Sequence, residues 1–156
     1  MQRYTEFTGD LWTLPVQYWC ITTNGFIGKN KAVMGRGVAL QAAQRYPRLP
    51  FLLNEKMKFL GNKVFIFHDL KIITVPVKPA LTHDGRPGWQ AKADLDLIHD
   101  SLMELVTRRV PDPWAPASIA LPRPGCGAGQ LSWEDVKPLC DLLLDERFIV
   151  VNFEGP

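Results

Sequence analysis

The 156-residue chain predicts a layered α/β fold with a largely parallel or mixed sheet. Two observations carry that expectation. Short runs rich in β-branched and aromatic residues alternate with helical patterns from end to end, the order in which crossover connections build a sheet between helices. Twice, an apolar run feeds a glycine-punctuated loop that opens onto a helix start, in residues 18–46 (YWCITTNGFIGKNKAVMGRGVALQAAQRY) and 121–139 (LPRPGCGAGQLSWEDVKPL). A chain of this length suits a single domain over residues 1–156, with a substantial core.

Residues 4–7 read as a first strand, closed by Thr8-Gly9-Asp10, and residues 11–16 as a bend or short helix. Asp10 stands where a strand ends, either as a ligand-facing carboxylate or as a turn residue. Residues 18–22 form the second strand and 24–35 the first glycine loop; Gly37-Val38-Ala39 opens a helix reaching Tyr46. Pro47 and Pro50 break the pattern, so 51–60 is a separate short helix ending at Gly61. Two apolar runs, 64–68 and 72–75, make a hairpin or adjacent strands across Asp69-Leu70-Lys71. Pro76-Val77-Lys78-Pro79 then leaves Lys78 at a strand end on stiff backbone, and 82–92 (THDGRPGWQAK) is expected to be a mobile loop.

The clearest helix is 94–109. Leu95, Ile98, Leu102 and Leu105 share one face, Asp94 lies near its start, and Arg108-Arg109 close it in agreement with the helix dipole. A proline-containing connector at 110–116 leads to a short buried strand at 119–121 and the second glycine loop. Ser132 caps the last helix with Glu134 and Asp135 behind it, and Val136, Leu139 and Leu143 supply its inner face. Residues 148–153 (FIVVNF) close the sheet.

With 46% apolar and 22% charged residues, the chain is globular rather than disordered or membranous. A net charge of +2 is too small to argue for nucleic-acid binding by field alone, and the basic residues form no dense run. Cys20, Cys126 and Cys140 are odd in number and lack zinc-ligand spacing, so a reduced, cytoplasmic protein is expected. No signal peptide or membrane-length apolar run is present, so the expectation is a soluble protein with no membrane partner. The histidines His68, His83 and His99 and the scattered acids make no metal motif.

The glycine loops carry the chemistry. A helix start offers unpaired N–H groups and partial positive charge, and Gly35 and Gly37 remove side chains that would hold a phosphate away. Two such loops facing each other would clamp a diphosphate. GRGVAL lacks the third glycine of a dinucleotide fingerprint, and the chain is short for a two-half Rossmann domain. The residues alone support a binder of nucleotide diphosphates.

Five ordered motifs go further. Gly9-Asp10-Leu11, Thr23-Asn24-Gly25, residues 33–40 (VMGRGVAL), Val75-Pro76-Val77-Lys78 and residues 121–127 (LPRPGCG) together resemble a macrodomain over essentially the whole chain. The resemblance implies a three-layer α/β/α macrodomain fold with a central mixed sheet that binds ADP-ribose. The MGRG and LPRPGCG loops are most similar to the branch containing the terminal ADP-ribose protein glycohydrolase and the DNA de-ADP-ribosylating antitoxin DarG. Stand-alone copies of that type occur in bacteria and phages.

Carried over by residue, the resemblance implies that Asp10, with Leu11 beside it, accepts from the adenine amino group, since an ionised carboxylate only accepts. Asn24 would bond the distal ribose. Met34, Gly35, Gly37, Val38 and Ala39, with Pro122, Gly125, Cys126, Gly127, Ala128, Gly129, Gln130 and Leu131, would surround the two phosphates, residues 35–38 and 125–130 through backbone donors. Asn152 and Phe153 would lie against adenine, though Phe153 equally fits a core.

Lys78 matches the lysine beside the distal ribose, where it would attack the anomeric carbon or stabilise the ring-opened sugar once a lowered pKa frees its amine; a surface lysine is the bland alternative. Lys78 and Asn24 are therefore the expected catalytic pair. Where the protein-directed enzyme has an aspartate, this chain has Gly129, as the DNA-directed antitoxin does. The loop from Asn24 to Met34 is longer than in that antitoxin.

The implied activity is removal of ADP-ribose from a macromolecule, single-stranded DNA before protein, with ADP-ribose as ligand or product and no cofactor. A non-catalytic ADP-ribose reader and an ADP-ribose 1″-phosphate phosphatase are the alternatives. Cys126, in a loop at a helix start where thiol pKa values fall, has no marked histidine partner and is read as a residue of fit. Trp12, Trp19, Trp114 and Trp133 read as core or interface aromatics, and Trp89, in the loop after Lys78, as a solvated loop residue or else one that contacts a base or rims the pocket.

Overall fold

The structure, a computed structural model, describes residues 2–108 and 118–153. Six strands form one sheet in the order β1-β6-β5-β2-β4-β3: β1 Thr5–Gly9, β2 Tyr18–Asn24, β3 Phe65–Phe67, β4 Ile72–Lys78, β5 Ile119–Pro122 and β6 Phe148–Phe153. All neighbours pair parallel except β3, which turns back antiparallel on β4 as a hairpin. The sheet is therefore mixed, and the carboxyl ends of β6, β5, β2 and β4 lie along one edge.

The helices are α1 Gly37–Arg45, α2 Leu49–Leu60, α3 Leu95–Thr107 and α4 Trp133–Leu143. Parallel strands buried on both faces need helices on both, and the core divides accordingly. On one face Val38, Ala42, Leu49, Leu53 and Met57 of α1 and α2 pack on Ile21, Ile72, Ala120 and Val151. On the other, Ile98, Leu102 and Leu105 of α3 and Val136 and Cys140 of α4 pack on Cys20, Ile73, Val75, Leu121 and Val150. The result is the expected three-layer α/β/α arrangement.

Several element boundaries differ from the sequence reading. β2 and β4 each run on to Asn24 and Lys78, because the two strands keep pairing past Thr22 and Val75, with a register shift between Thr23 and Asn24. Pro76 is thus inside a strand. Beyond Thr74, β4 has no β3 partner, so its missing N–H leaves no ladder bond unmade on that side. Pro50 does not precede a helix but sits in the first turn of α2, where an absent N–H costs nothing.

Leu95, expected on the inner face of α3, is exposed at the helix start, and Ser101 takes a buried place instead. In α4 the fully buried positions are Val136 and Cys140, with Leu139 and Leu143 at the core's margin. The loop at 82–92 is tied down rather than free. It contains a 3-10 turn at Gly88–Gln90, a bridge from Leu81 to Pro87, and hydrogen bonds from the Gly88 amide to the Ala80 carbonyl and from Arg86 to Asp84. The connector at 110–116, with Trp114, and Arg109 lie outside the described residues.

Candidate functional site

A cavity of about 560 Å³ opens along the carboxyl ends of β6, β5, β2 and β4, the place where parallel sheets present ligand sites. Its walls are the two glycine loops. Asn24 and Lys78 lie at one end, and Asn152 and Phe153 at the other. Three inter-strand steps separate β4 from β6, a span of about 14 Å at ~4.8 Å per step. The cavity is thus elongated, with the loops across its middle.

The first loop is held from below by side chains. Asn24 donates to the Val33 carbonyl (3.0 Å) and accepts from the Phe26 amide (3.0 Å), and buried Asn54 exchanges two bonds with Gly28. At the loop's end Gly37 takes φ +55°, a left-handed conformation that favours glycine. α3 and α4 have side-chain caps from Asp94 and Ser132, whereas α1 has none. Its first turn borders the cavity through Val38 and Ala39. The bond from the Leu40 amide to the Arg36 carbonyl opens the helical ladder, so the N–H groups before it remain available to an anion.

The second loop folds on itself through bonds from the Cys126 amide to Arg123, Gln130 to Gly127, and Leu131 to Gly125. Among the described residues, the amides of Gly125, Gly127, Ala128 and Gly129 donate to no protein group. Gly125 has φ +75°, and Cβ atoms at Gly125 and Gly129 would press on Ala93 at 2.9 and 2.8 Å. A Cβ at Gly129 would also sit 2.5 Å from the Gly125 carbonyl oxygen. The loop has room for backbone only there.

Lys78 is only 8% exposed. Burial, and then the Arg36 guanidinium, lower its pKa from the ordinary 10.5. Its Nζ donates to the Trp89 carbonyl at 3.1 Å, which fixes the amine's position at the cavity wall. Arg36 and Arg123 also line the cavity, and among the described residues no Asp or Glu does. Such a lining suits an anionic ligand. Cys126 lies here too, but burial outweighs the nearby Arg123 and pushes its thiol up to about 11. The lowered thiol pKa expected from a helix start is therefore not found, since α4 begins only at Trp133.

The expected residues Asn24, Met34, Gly35, Val38, Ala39, Lys78, Pro122, Gly125, Cys126, Gly127, Ala128, Gly129, Leu131, Asn152 and Phe153 all line this cavity. Gly37 and Gln130 adjoin it without lining it, and the Gln130 amide is spent on Gly127. Asp10 is exposed and caps the 3-10 turn Leu11–Thr13 by accepting from the Trp12 amide at 3.0 Å, and Leu11 is fully buried in the core. The structure adds Thr22, Thr23, Val33, Arg36, Val77, Trp89, Arg123, Trp133 and Val151. Arg36 and Arg123 stand inside the MGRG and LPRPGCG motifs, so attention to the motifs' charges as well as their glycines would have found them.

No family model matches the chain. It is 36% identical over 109 residues to the DNA ADP-ribosyl glycohydrolases of Mycobacterium tuberculosis and Mycobacterium bovis, a match covering 67% of this chain and 30% of each relative. The chain thus spans under a third of the length of the curated relatives it matches. The macrodomain of Mycobacterium tuberculosis DarG superposes with a TM-score of 0.71 at 27% identity, over 97% of this chain and 98% of that one. Thermosipho africanus DarTG, solved in complex with ADP-ribose, superposes with a TM-score of 0.75 at 17% identity over 99% of this chain and 42% of that one.

Proposed function

Since the chain is a macrodomain of the DarG branch, we propose that it is a glycohydrolase that binds ADP-ribose in the elongated cavity and releases it from modified DNA. The observation that carries this reading is the buried Lys78 amine, with its lowered pKa, beside two loops of free amides in a cavity that Arg36 and Arg123 also line. The amides and Arg36 take the diphosphate, Asn152 and Phe153 take the adenine end, and the distal ribose reaches Asn24 and Lys78.

The neutral Nζ attacks the anomeric carbon while the bond to the nucleobase breaks. The bonding electrons leave with the base, which takes up a proton. Water then displaces the amine and frees ADP-ribose. ADP-ribose is ligand and product here, not a resident cofactor. DNA is favoured over protein because Gly129 has no space for the aspartate of the protein-directed branch. Three unpaired cysteines suit a cytoplasmic setting in a bacterium or phage, and among the described residues no helix is long and apolar enough to cross a membrane.

The test is release of ADP-ribose from thymidine-linked ADP-ribosylated single-stranded DNA by the protein and its Lys78→Ala variant. Release that collapses in the variant, with ADP-ribose binding retained, is the expected outcome. A second reading, a non-catalytic ADP-ribose reader, draws on Gly129 standing where the protein-directed branch has an aspartate, with no carboxylate among the described residues that line the cavity. ADP-ribose binding without release by the unmutated protein would put that reading first.

A further inference from the structure

Trp89 occupies a place that the diphosphate site does not explain. Its carbonyl accepts from Lys78 Nζ at 3.1 Å, so it lies directly beyond the amine assigned to the anomeric carbon. It lines the cavity, yet the residue remains 37% exposed. Trp133 and Phe153, on α4 and β6, belong to the other end of the cavity. Of the aromatic residues that line the cavity among the described residues, Trp89 is thus the one beside the end where the distal ribose, and whatever is attached to it, must emerge.

The backbone carrying Trp89 is anchored on both sides. The Gly88 amide donates to the Ala80 carbonyl at 2.8 Å, and a Cβ at Gly88 would overlap the Pro79 carbonyl oxygen, so the 3-10 turn packs against the chain just after Lys78. Past it, the Ala93 amide donates to Gly129 and the Asp94 amide to Val77. An exposed indole on a backbone anchored in this way is a ready stacking surface, because every nucleobase has a π-face. Lys92, exposed three positions on, adds a cation on the same segment for a flanking phosphate.

We propose that Trp89 is the shelf on which the unpaired base bearing the ADP-ribose stacks, so that the site selects single-stranded nucleic acid over other carriers. This rests on the glycohydrolase reading for the direction in which the ligand lies. A base stacked there cannot stay in a duplex, which ties the preference for single strands to one side chain.

Binding separates this inference from turnover. In a Lys78→Ala background, which prevents cleavage, dissociation constants are measured for free ADP-ribose, for an ADP-ribosylated single-stranded oligonucleotide and for an ADP-ribosylated peptide. The oligonucleotide is expected to bind more tightly than ADP-ribose. Trp89→Ala should remove about tenfold or more of that extra affinity and Trp89→Phe should retain most of it, with the peptide gaining nothing from the ring. Equal losses for ADP-ribose and oligonucleotide, no loss for either, or the same ring-dependent gain for the peptide would overturn the proposal. Failure of the unmutated protein to release ADP-ribose would instead strike the glycohydrolase reading, while leaving this comparison measurable.

Discussion

Asn24 and Lys78 are direct register partners across the β2–β4 ladder, and the register shifts just before they meet. Thr23 pairs with Pro76, so the slip absorbs Val77 and brings the two polar residues side by side at the end of the sheet. Neither side chain is free: Asn24 braces the first loop through Val33 and Phe26, and Lys78 holds the Trp89 carbonyl. The pair thus joins the walls of the cavity as well as facing its distal end.

The lowered pKa of Lys78 fixes the sign of two pH effects. Its causes are burial first and the Arg36 charge second. For a lysine nucleophile the active form is the neutral amine, so release of ADP-ribose should rise with pH through a limb lying below 10.5, the ordinary value. Arg36→Gln should move that limb to higher pH, as read from the pH dependence of kcat. Folding follows the same shift. Between the folded pKa and 10.5 the unfolded chain binds more protons, so stability should increase with pH across that window, and Lys78→Met should abolish the increase in denaturant titrations. A limb unmoved by Arg36→Gln would remove Arg36 from the account.

Cys126 is the residue whose position most invites a wrong chemistry. Its thiol, pushed up to about 11, is almost wholly protonated at neutral pH, and its Sγ rests 3.5 Å from the Pro124 carbonyl. Alkylation at pH 7 should be much slower than for an unperturbed cysteine, and Cys126→Ser should retain release of ADP-ribose within a few-fold. Rapid labelling coupled to loss of activity would restore the thiol as a nucleophile.

The sequence showed the layered fold because the period-two and helical patterns alternate clearly, and because glycines mark the two turns the backbone must make. The ends of β2 and β4 were hidden, since pairing across the sheet, not local propensity, carries them to Asn24 and Lys78. Pro50 was read as a breaker where the same residue equally opens a helix. Within the site, the glycines spoke for the loops, whereas Arg36 and Arg123 needed the charge inside each motif to be weighed. Trp89 was legible only as an alternative, a rim contact beside a solvated loop residue: eleven positions from Lys78, it meets that lysine through a backbone carbonyl, which no side-chain pattern reports. Asp10 stands at the strand end, as the sequence indicated, and one of its oxygens caps the turn that follows it.

Gly129 offers a prediction about the limits of this loop. A Cβ there would meet the Gly125 carbonyl oxygen at 2.5 Å and the Ala93 Cβ at 2.8 Å, and both neighbours are held by hydrogen bonds, Gly125 from the Leu131 amide and Ala93 to the Gly129 carbonyl. Gly129→Ala should destabilise the protein by about 1–3 kcal/mol, as overpacking does, and Gly129→Asp by at least as much. Installing the aspartate of the protein-directed branch should therefore lower Tm without conferring release of ADP-ribose from protein esters. An unchanged Tm for Gly129→Ala would show that the loop yields more readily than its contacts indicate.

Asn24 separates a scaffolding role from a chemical one. Its amide spans the first loop, donating to Val33 and accepting from Phe26, each at 3.0 Å. Asn24→Ala leaves both partners unmet and should cost about 1–3 kcal/mol, with faster hydrogen exchange at the Phe26 amide. Asn24→Asp keeps the acceptor for Phe26 but sets a carboxylate against the Val33 carbonyl and places a negative charge in a cavity lined by Arg36, Lys78 and Arg123. If Asn24 acts only by holding the loop, both variants should weaken ADP-ribose binding and leave kcat at saturating substrate within a few-fold. If it also contacts the distal ribose in the transition state, kcat should fall by a further ten- to hundredfold, the size of one lost hydrogen bond. The split between KM and kcat therefore decides whether the register partner of Lys78 shares in the chemistry or only builds the place where it happens.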